Sequence, residues 1–199
     1  MNKNNMFADV RVLPVVVIKE LDDTIPTLQA LLDGGIPAAE ITFRTACAAD
    51  AIRIAAKEFP TMHVGAGTVI NAAQANAAID AGASFIVSPG LSAEVAAVCK
   101  EKNIPYFPGC ATPTEIMQAL ALGIEVVKFF PANVYGGLNA IKALSAPFPQ
   151  VRFLPTGGVD LSNLHEFLAF EKIVAVGGSF MMKGDIKENC RKILEVIAQ

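Results

Sequence analysis

Short runs of valine, isoleucine and phenylalanine alternate with alanine-rich amphipathic stretches along the whole chain. The apolar runs are Val12–Ile18, Ala39–Phe43, His63–Gly67, Phe85–Ser88, Pro105–Pro108, Val126–Phe130, Arg152–Pro155 and Val174–Gly177. They read as strands, because β-branched and aromatic residues suit a pleated, buried backbone. Helices are predicted near Thr24–Asp33, Cys47–Glu58, Asn71–Ala81, Ser92–Lys102, Pro113–Leu122, Leu138–Ser145, Ser162–Phe170 and Lys187–Ala198. Strand follows strand at about 23 residues, the spacing that parallel pairing through helical crossovers requires.

Several boundaries carry their own signals. Gly34-Gly35, Gly82 and Gly123 follow helices as C-terminal caps should. Ser92, Thr112 and Ser162 stand where N-caps belong, with Pro113 at a first helical position. Eight βα units predict an α/β chain closed as a small (β/α)8 TIM barrel. An open doubly wound sheet has the same alternation, but eight is the closing number. No Gly-x-Gly-x-x-Gly follows the first strand, where a dinucleotide site would carry it. No linker or low-complexity stretch divides the chain, so residues 1–199 read as one barrel domain.

Composition narrows the function. Of 199 residues, 53% are hydrophobic and the net charge is −3, with a mean hydropathy of +0.45. That hydrophobicity predicts apolar surface buried between subunits. Without a basic run there is no footprint for nucleic acid. Pro14, Lys19 and Glu20 break the first apolar run, so no membrane span is expected. The polar start, Met1 to Asn5, predicts no signal peptide. The four cysteines are widely spaced and predict reduced core residues of a cytoplasmic protein. The two histidines, His63 and His165, have no metal-ligand spacing, so no metal is expected.

Within Val126-Val127-Lys128-Phe129-Phe130-Pro131, Lys128 lies in a strand that is apolar on both faces. An ammonium there is costly unless it is paired or loses its proton, and the neutral amine is a nucleophile for carbonyls. The alternative is a lysine that snorkels to solvent from a strand end. Lys19 and Lys183, at a strand exit and in a polar turn, are weaker candidates.

The C-terminal strand ends, where such barrels carry their function, supply the remaining candidates. Glu40, Thr42 and Arg44 share one strand face; if it is the barrel interior, the carboxylate lies deep and the guanidinium at the mouth. Glu40 is a candidate proton shuttle and Arg44 a candidate clamp for a substrate carboxylate; an internal ion pair is the structural alternative. Thr68 can donate to a carboxylate or cap the next helix. Pro89 and Phe130 are expected to shape apolar walls. The doublets Gly157-Gly158 and Gly177-Gly178, with Ser179 beside them, let backbone amides approach a phosphate, although Gly-Gly also makes plain turns.

Glu40-Ile41-Thr42-Phe43-Arg44-Thr45, Val64-Gly65-Ala66-Gly67-Thr68-Val69, Ile86-Val87-Ser88-Pro89-Gly90, Lys128-Phe129-Phe130-Pro131-Ala132, Phe153-Leu154-Pro155-Thr156-Gly157-Gly158-Val159 and Gly177-Gly178-Ser179 form a recognisable set. Together they resemble the class I aldolases that cleave 2-keto-3-deoxy-6-phosphogluconate (KDPG), many of which also act on 4-hydroxy-2-oxoglutarate (KHG). The resemblance implies Lys128 as the Schiff-base lysine and Glu40 as the general acid/base. It implies Arg44 and Thr68 around the pyruvyl carboxylate, Thr156 against substrate, and Gly158, Gly178 and Ser179 on the phosphate. It further implies a cytosolic homotrimer that needs no metal or cofactor. Relatives acting on the galactonate epimer share the frame, but Lys-Phe-Phe-Pro-Ala and Arg44 favour the gluconate branch. The segment before Val12 is shorter than the helix that often plugs the bottom of these barrels. Two other readings keep the barrel: a phosphosugar epimerase or isomerase with no covalent step, and a silent phosphometabolite-binding protein.

Overall fold

The computed structural model describes residue 7 and residues 10–198. Eight parallel strands alternate with eight helices: β1 (Val12–Val16), α1 (Thr24–Asp33), β2 (Ala38–Thr42), α2 (Ala48–Glu58), β3 (His63–Gly67), α3 (Ala72–Asp80), β4 (Ile86–Val87), α4 (Ala93–Glu101), β5 (Tyr106–Phe107), α5 (Pro113–Ala121), β6 (Val126–Phe129), α6 (Gly137–Ser145), β7 (Arg152–Pro155), α7 (Leu164–Leu168), β8 (Val176–Gly178) and α8 (Ile186–Ile197). Short 3-10 turns at Leu21–Asp23 and Phe180–Met182 precede α1 and α8.

One continuous ladder runs β5-β4-β3-β2-β1-β8, and β6 pairs with β7. Isolated parallel bridges close the circle, Gly109 to Lys128 on one side, and Phe153 to Ile173 and Thr156 to Gly177 on the other. The first bridge grips the candidate lysine by its backbone. The Lys128 N–H donates to the Pro108 carbonyl, and its own carbonyl accepts from the Cys110 N–H, both at 2.8 Å.

Register decides what faces inward. Val15 pairs with Glu40 and Glu40 with Gly65, while Lys128 pairs with Leu154. Paired residues of parallel strands share a face, and since the Glu40 and Lys128 side chains meet, both project inside, from strands on opposite sides of the barrel. Below them Phe85 fills the space above Gly65, where a Cβ would overlap its ring. Phe107 and the buried Phe7 continue this aromatic layer, with centroid spacings of 6.1 and 5.3 Å. Phe7 thus helps close the lower end, although most of the segment before Val12 lies outside the described residues.

Most predicted boundaries hold to within two residues. Side chains of Asn71, Ser92, Thr112 and Asp185 cap α3, α4, α5 and α8. Gly35, Gly82 and Gly123 follow their helices with φ of +90°, +104° and +78°, a conformation that suits a residue without Cβ. Two expectations fail and one alternative is removed. Strand eight begins at Val176, not Val174, because the ladder to β1 opens at Val176 and the preceding Ile173 makes only an isolated bridge to Phe153 of β7. Thr68 does not cap α3, since Asn71 does. Ser162 caps no helix: both its N–H and its hydroxyl donate to Asp160, and α7 starts later, at Leu164. Among the described residues no helix is long and apolar enough to cross a membrane.

Candidate active site

The barrel centre holds one ionic contact. Lys128 Nζ donates to Glu40 Oε1 at 3.3 Å, with the two side chains 5% and 0% exposed. Gly67 makes room for the carboxylate, because a Cβ on β3 there would overlap Glu40 Oε1. Glu40 Oε2 is buried without a partner. An orphaned carboxylate oxygen inside a protein is costly, and here it is available to receive or give a proton. The Phe130 ring, half-buried, lies 5.3 Å from Nζ and forms the apolar side of the same chamber. A primary amine in such surroundings, beside a carboxylate, can add to a carbonyl and have its protons relayed.

Nearer the mouth, Arg44 is exposed and its Nε donates to Thr68 Oγ1 at 3.0 Å. Thr68 has φ +57°, a left-handed conformation that is an outlier for a β-branched residue. The loop that imposes it is held by Val69, whose N–H donates to the Val87 carbonyl and whose carbonyl accepts from the buried Ser88 hydroxyl at 2.5 Å. Ser88 therefore steadies the Arg44–Thr68 contact from β4. Sequence reading recorded Ser88 only as part of a strand end; a serine at the close of an apolar strand was its one visible sign.

The ends of β7 and β8 form the remaining rim. Thr156 is buried and packs against Gly177, where a Cβ would overlap its hydroxyl. Gly157 and Gly158 take φ of +88° and +79°. Gly158 rests on the Asn133 side chain, and a Cβ there would collide with it. Gly178 is buried against the Phe180 ring, and Ser179 is exposed beside it. Asn163, which sequence reading passed over, donates from Nδ2 to the Gly158 carbonyl at 2.9 Å.

The predicted residues thus fall into three groups: Lys128, Glu40 and Phe130 at the centre, Arg44 and Thr68 at the mouth, and Thr156, Gly157, Gly158, Gly178 and Ser179 on the rim. Pro89 is exposed at the end of β4, and its carbonyl crowds Gly109, so it is a rim residue rather than part of the central wall. Lys19 and Lys183 are exposed and take no part in the buried pair. A groove of about 450 Å³ between α4 and α5 is lined by Ile104–Phe107 and Ile124–Val126, at the opposite strand ends, so it is separate from these groups. Cys99, Cys110 and Cys190 are buried, and burial pushes their thiols up to about 12, 12 and 11. Such thiols are poor nucleophiles. Among the described residues no group of three or more His, Cys, Asp or Glu gathers to hold a metal.

Known proteins share this arrangement of strands. The family model described as KDPG and KHG aldolase matches residues 4–196. The KHG/KDPG aldolase of Escherichia coli (strain K12) is 44% identical over 177 residues, which span 89% of this chain and 83% of that protein. The 2-dehydro-3-deoxy-phosphogluconate aldolase of Treponema pallidum (strain Nichols) is 47% identical over 173 residues, 87% of this chain and 82% of that one. A crystal structure of KDPG aldolase from Legionella pneumophila, with pyruvate captured at low pH as a covalent carbinolamine intermediate, matches with a TM-score of 0.90 and 39% identity. That match covers 98% of this chain and 96% of that one. With a family model spanning nearly every residue and relatives this similar, the chain belongs to the KDPG and KHG aldolase family.

Proposed function

We propose that this protein is a class I aldolase that cleaves 2-keto-3-deoxy-6-phosphogluconate to pyruvate and glyceraldehyde 3-phosphate, and 4-hydroxy-2-oxoglutarate to pyruvate and glyoxylate. The observation that carries the reading is the buried Lys128–Glu40 contact at 3.3 Å, which puts an amine and a proton carrier in one enclosed chamber. The names of the relatives support both substrates, and both of these relatives are named for the gluconate epimer.

Lys128, with its proton passed to Glu40, attacks the C2 ketone to give a carbinolamine. Glu40 returns a proton to the departing hydroxyl, water leaves, and the C=N bond forms. Glu40 then removes the proton of the C4 hydroxyl. The C3–C4 bond breaks, its electron pair moving towards the iminium to form the enamine, and the aldehyde departs. Protonation at C3 and addition of water free pyruvate and restore the lysine. The iminium withdraws electrons as a bound Lewis acid would, so the residues present suffice. Arg44 and Thr68 hold the carboxylate next to the ketone. Thr156, Gly157, Gly158, Gly178 and Ser179 hold the distal end of the substrate, and Pro89 and Phe130 border its path.

The same reading takes the chain as one barrel domain, working as a cytoplasmic homotrimer without a cofactor. Exposed Met117, Leu122, Val134 and Tyr135 supply apolar surface of the kind subunits cover. Borohydride reduction with pyruvate tests the chemistry. Wild-type protein should gain a lysine-linked adduct at Lys128 and lose activity, and Lys128→Ala should do neither. An adduct of normal yield on Lys128→Ala, or a wild-type protein that resists trapping while isomerising a sugar phosphate, removes the proposal.

A further inference from the structure

Three successive carbonyls at the end of β7 are engaged. The Thr156 and Gly157 carbonyls accept from the N–H groups of Ala132 and Asn133 at 2.9 and 3.1 Å. The Gly158 carbonyl accepts from Asn163 Nδ2 at 2.9 Å. The other end of the same amide, Asn163 Oδ1, accepts from the Asp160 N–H at 3.0 Å. One side chain therefore ties the two residues on either side of Val159. Only one orientation of the Asn163 amide satisfies both contacts, since a carbonyl must meet the NH2 and an N–H must meet the oxygen.

A trans peptide sets its C=O and N–H on opposite sides. Anchoring the Gly157 and Gly158 carbonyls consequently turns the N–H groups of Gly158 and Val159 away from Asn133 and Asn163. Among the described residues neither N–H has a hydrogen-bond partner, although Val159 is buried. Gly158 is exposed, but an unpaired N–H at a buried position such as Val159 is rare, and its natural complement is an anion. With φ of +88° and +79° in succession, Gly157 and Gly158 have little intrinsic preference for this arrangement. Something outside the glycines must hold it.

We propose that Asn163 is a positioning residue for the phosphate end of the substrate. By gripping the Gly158 carbonyl it aims the Val159 N–H, next to the Gly158 N–H that the Asn133 contact turns, and so favours phosphorylated over unphosphorylated substrates. This inference rests on the reading that the β7–β8 rim binds phosphate. A loosened loop costs orientation rather than chemistry, so the effect belongs in the KM for phosphorylated substrate and not in the turnover of 4-hydroxy-2-oxoglutarate.

The test compares wild type, Asn163→Ala, Asn163→Asp and Ser179→Ala on both substrates, with inorganic phosphate as a competitive inhibitor of 4-hydroxy-2-oxoglutarate cleavage. Asn163→Asp keeps the acceptor for Asp160, and with it the turn, while it removes the donor to Gly158. Both Asn163 variants should raise the KM for phosphorylated substrate and the Ki of phosphate by about five- to tenfold, the loss of one hydrogen bond of ordinary strength. The KM for 4-hydroxy-2-oxoglutarate should rise several-fold less. An equal rise for both substrates, or an unchanged phosphate Ki in Asn163→Asp, overturns the inference. If Ser179→Ala weakens phosphate and the Asn163 variants do not, the rim reading stands and the role of Asn163 falls. If none of the three weakens phosphate, both fall.

Discussion

Lys128 could be singled out from its neighbours alone, since a lysine among Val126, Val127, Phe129 and Phe130 is costly unless it is paired, neutral or reaches solvent. Glu40 followed from strand parity. Their meeting at 3.3 Å was not visible, because it depends on the diameter of the closed barrel and on the space left by Gly67. Asn163 and Ser88 went unnoticed for a related reason. Each acts through a backbone carbonyl, and no pattern in the chain marks which carbonyl a side chain will find. Glu40→Gln keeps the shape but cannot carry a proton. It should lower kcat for both substrates by about 10²–10⁴-fold, as general acid–base catalysis typically contributes, while some pyruvate remains trappable by borohydride. A variant with normal kcat would move the proton relay to another group.

The alternation of strands and helices was legible because each crossover has its own start and stop chemistry. At α5 Thr112 accepts from the Glu115 N–H, the Glu115 carboxylate accepts from the Thr112 N–H, and Pro113 opens the helix. Ser162 misled because the chain offers it and Asn163 side by side, and Asp160 captured the serine while Gly158 engaged the asparagine. At β8 the ladder to β1 opens only at Val176 and the bridge from Ile173 to Phe153 stays isolated, so the strand starts two residues later than the apolar run. Thr112→Ala should cost about 1 kcal/mol of stability, read as a fall in Tm of about 2–4 °C. Its KM and kcat should not change, because α5 supplies no residue to the strand ends that carry the site.

Barrel closure binds the parts into one core, so protonation of distant buried groups affects the stability of all of it. Thiols of Cys99, Cys110 and Cys190, raised to about 12, 12 and 11, stay neutral in the fold well above their ordinary value of 9. Burial raises the Tyr106 phenol in the same direction. An unfolded chain ionises these groups first, releasing protons that the folded chain keeps. Their stabilisation is therefore complete below about pH 9 and declines as the pH rises towards the folded values. Denaturant midpoints should fall steadily from about pH 9 upward, and replacing Cys99 with Ala should flatten that fall at the expense of a cavity.

The ion pair at the barrel centre also sets a ceiling on robustness. Withdrawing two charges from water costs several kcal/mol per ion, and a single salt contact with one oxygen left bare repays it poorly. A Lys128→Met/Glu40→Leu double variant should consequently be inert yet melt higher than the parent, by an amount equivalent to about 1–4 kcal/mol. Either single change leaves a stranded charge and should melt lower. If the proposed chemistry holds, durability is what this barrel gives up to keep that nitrogen at its heart.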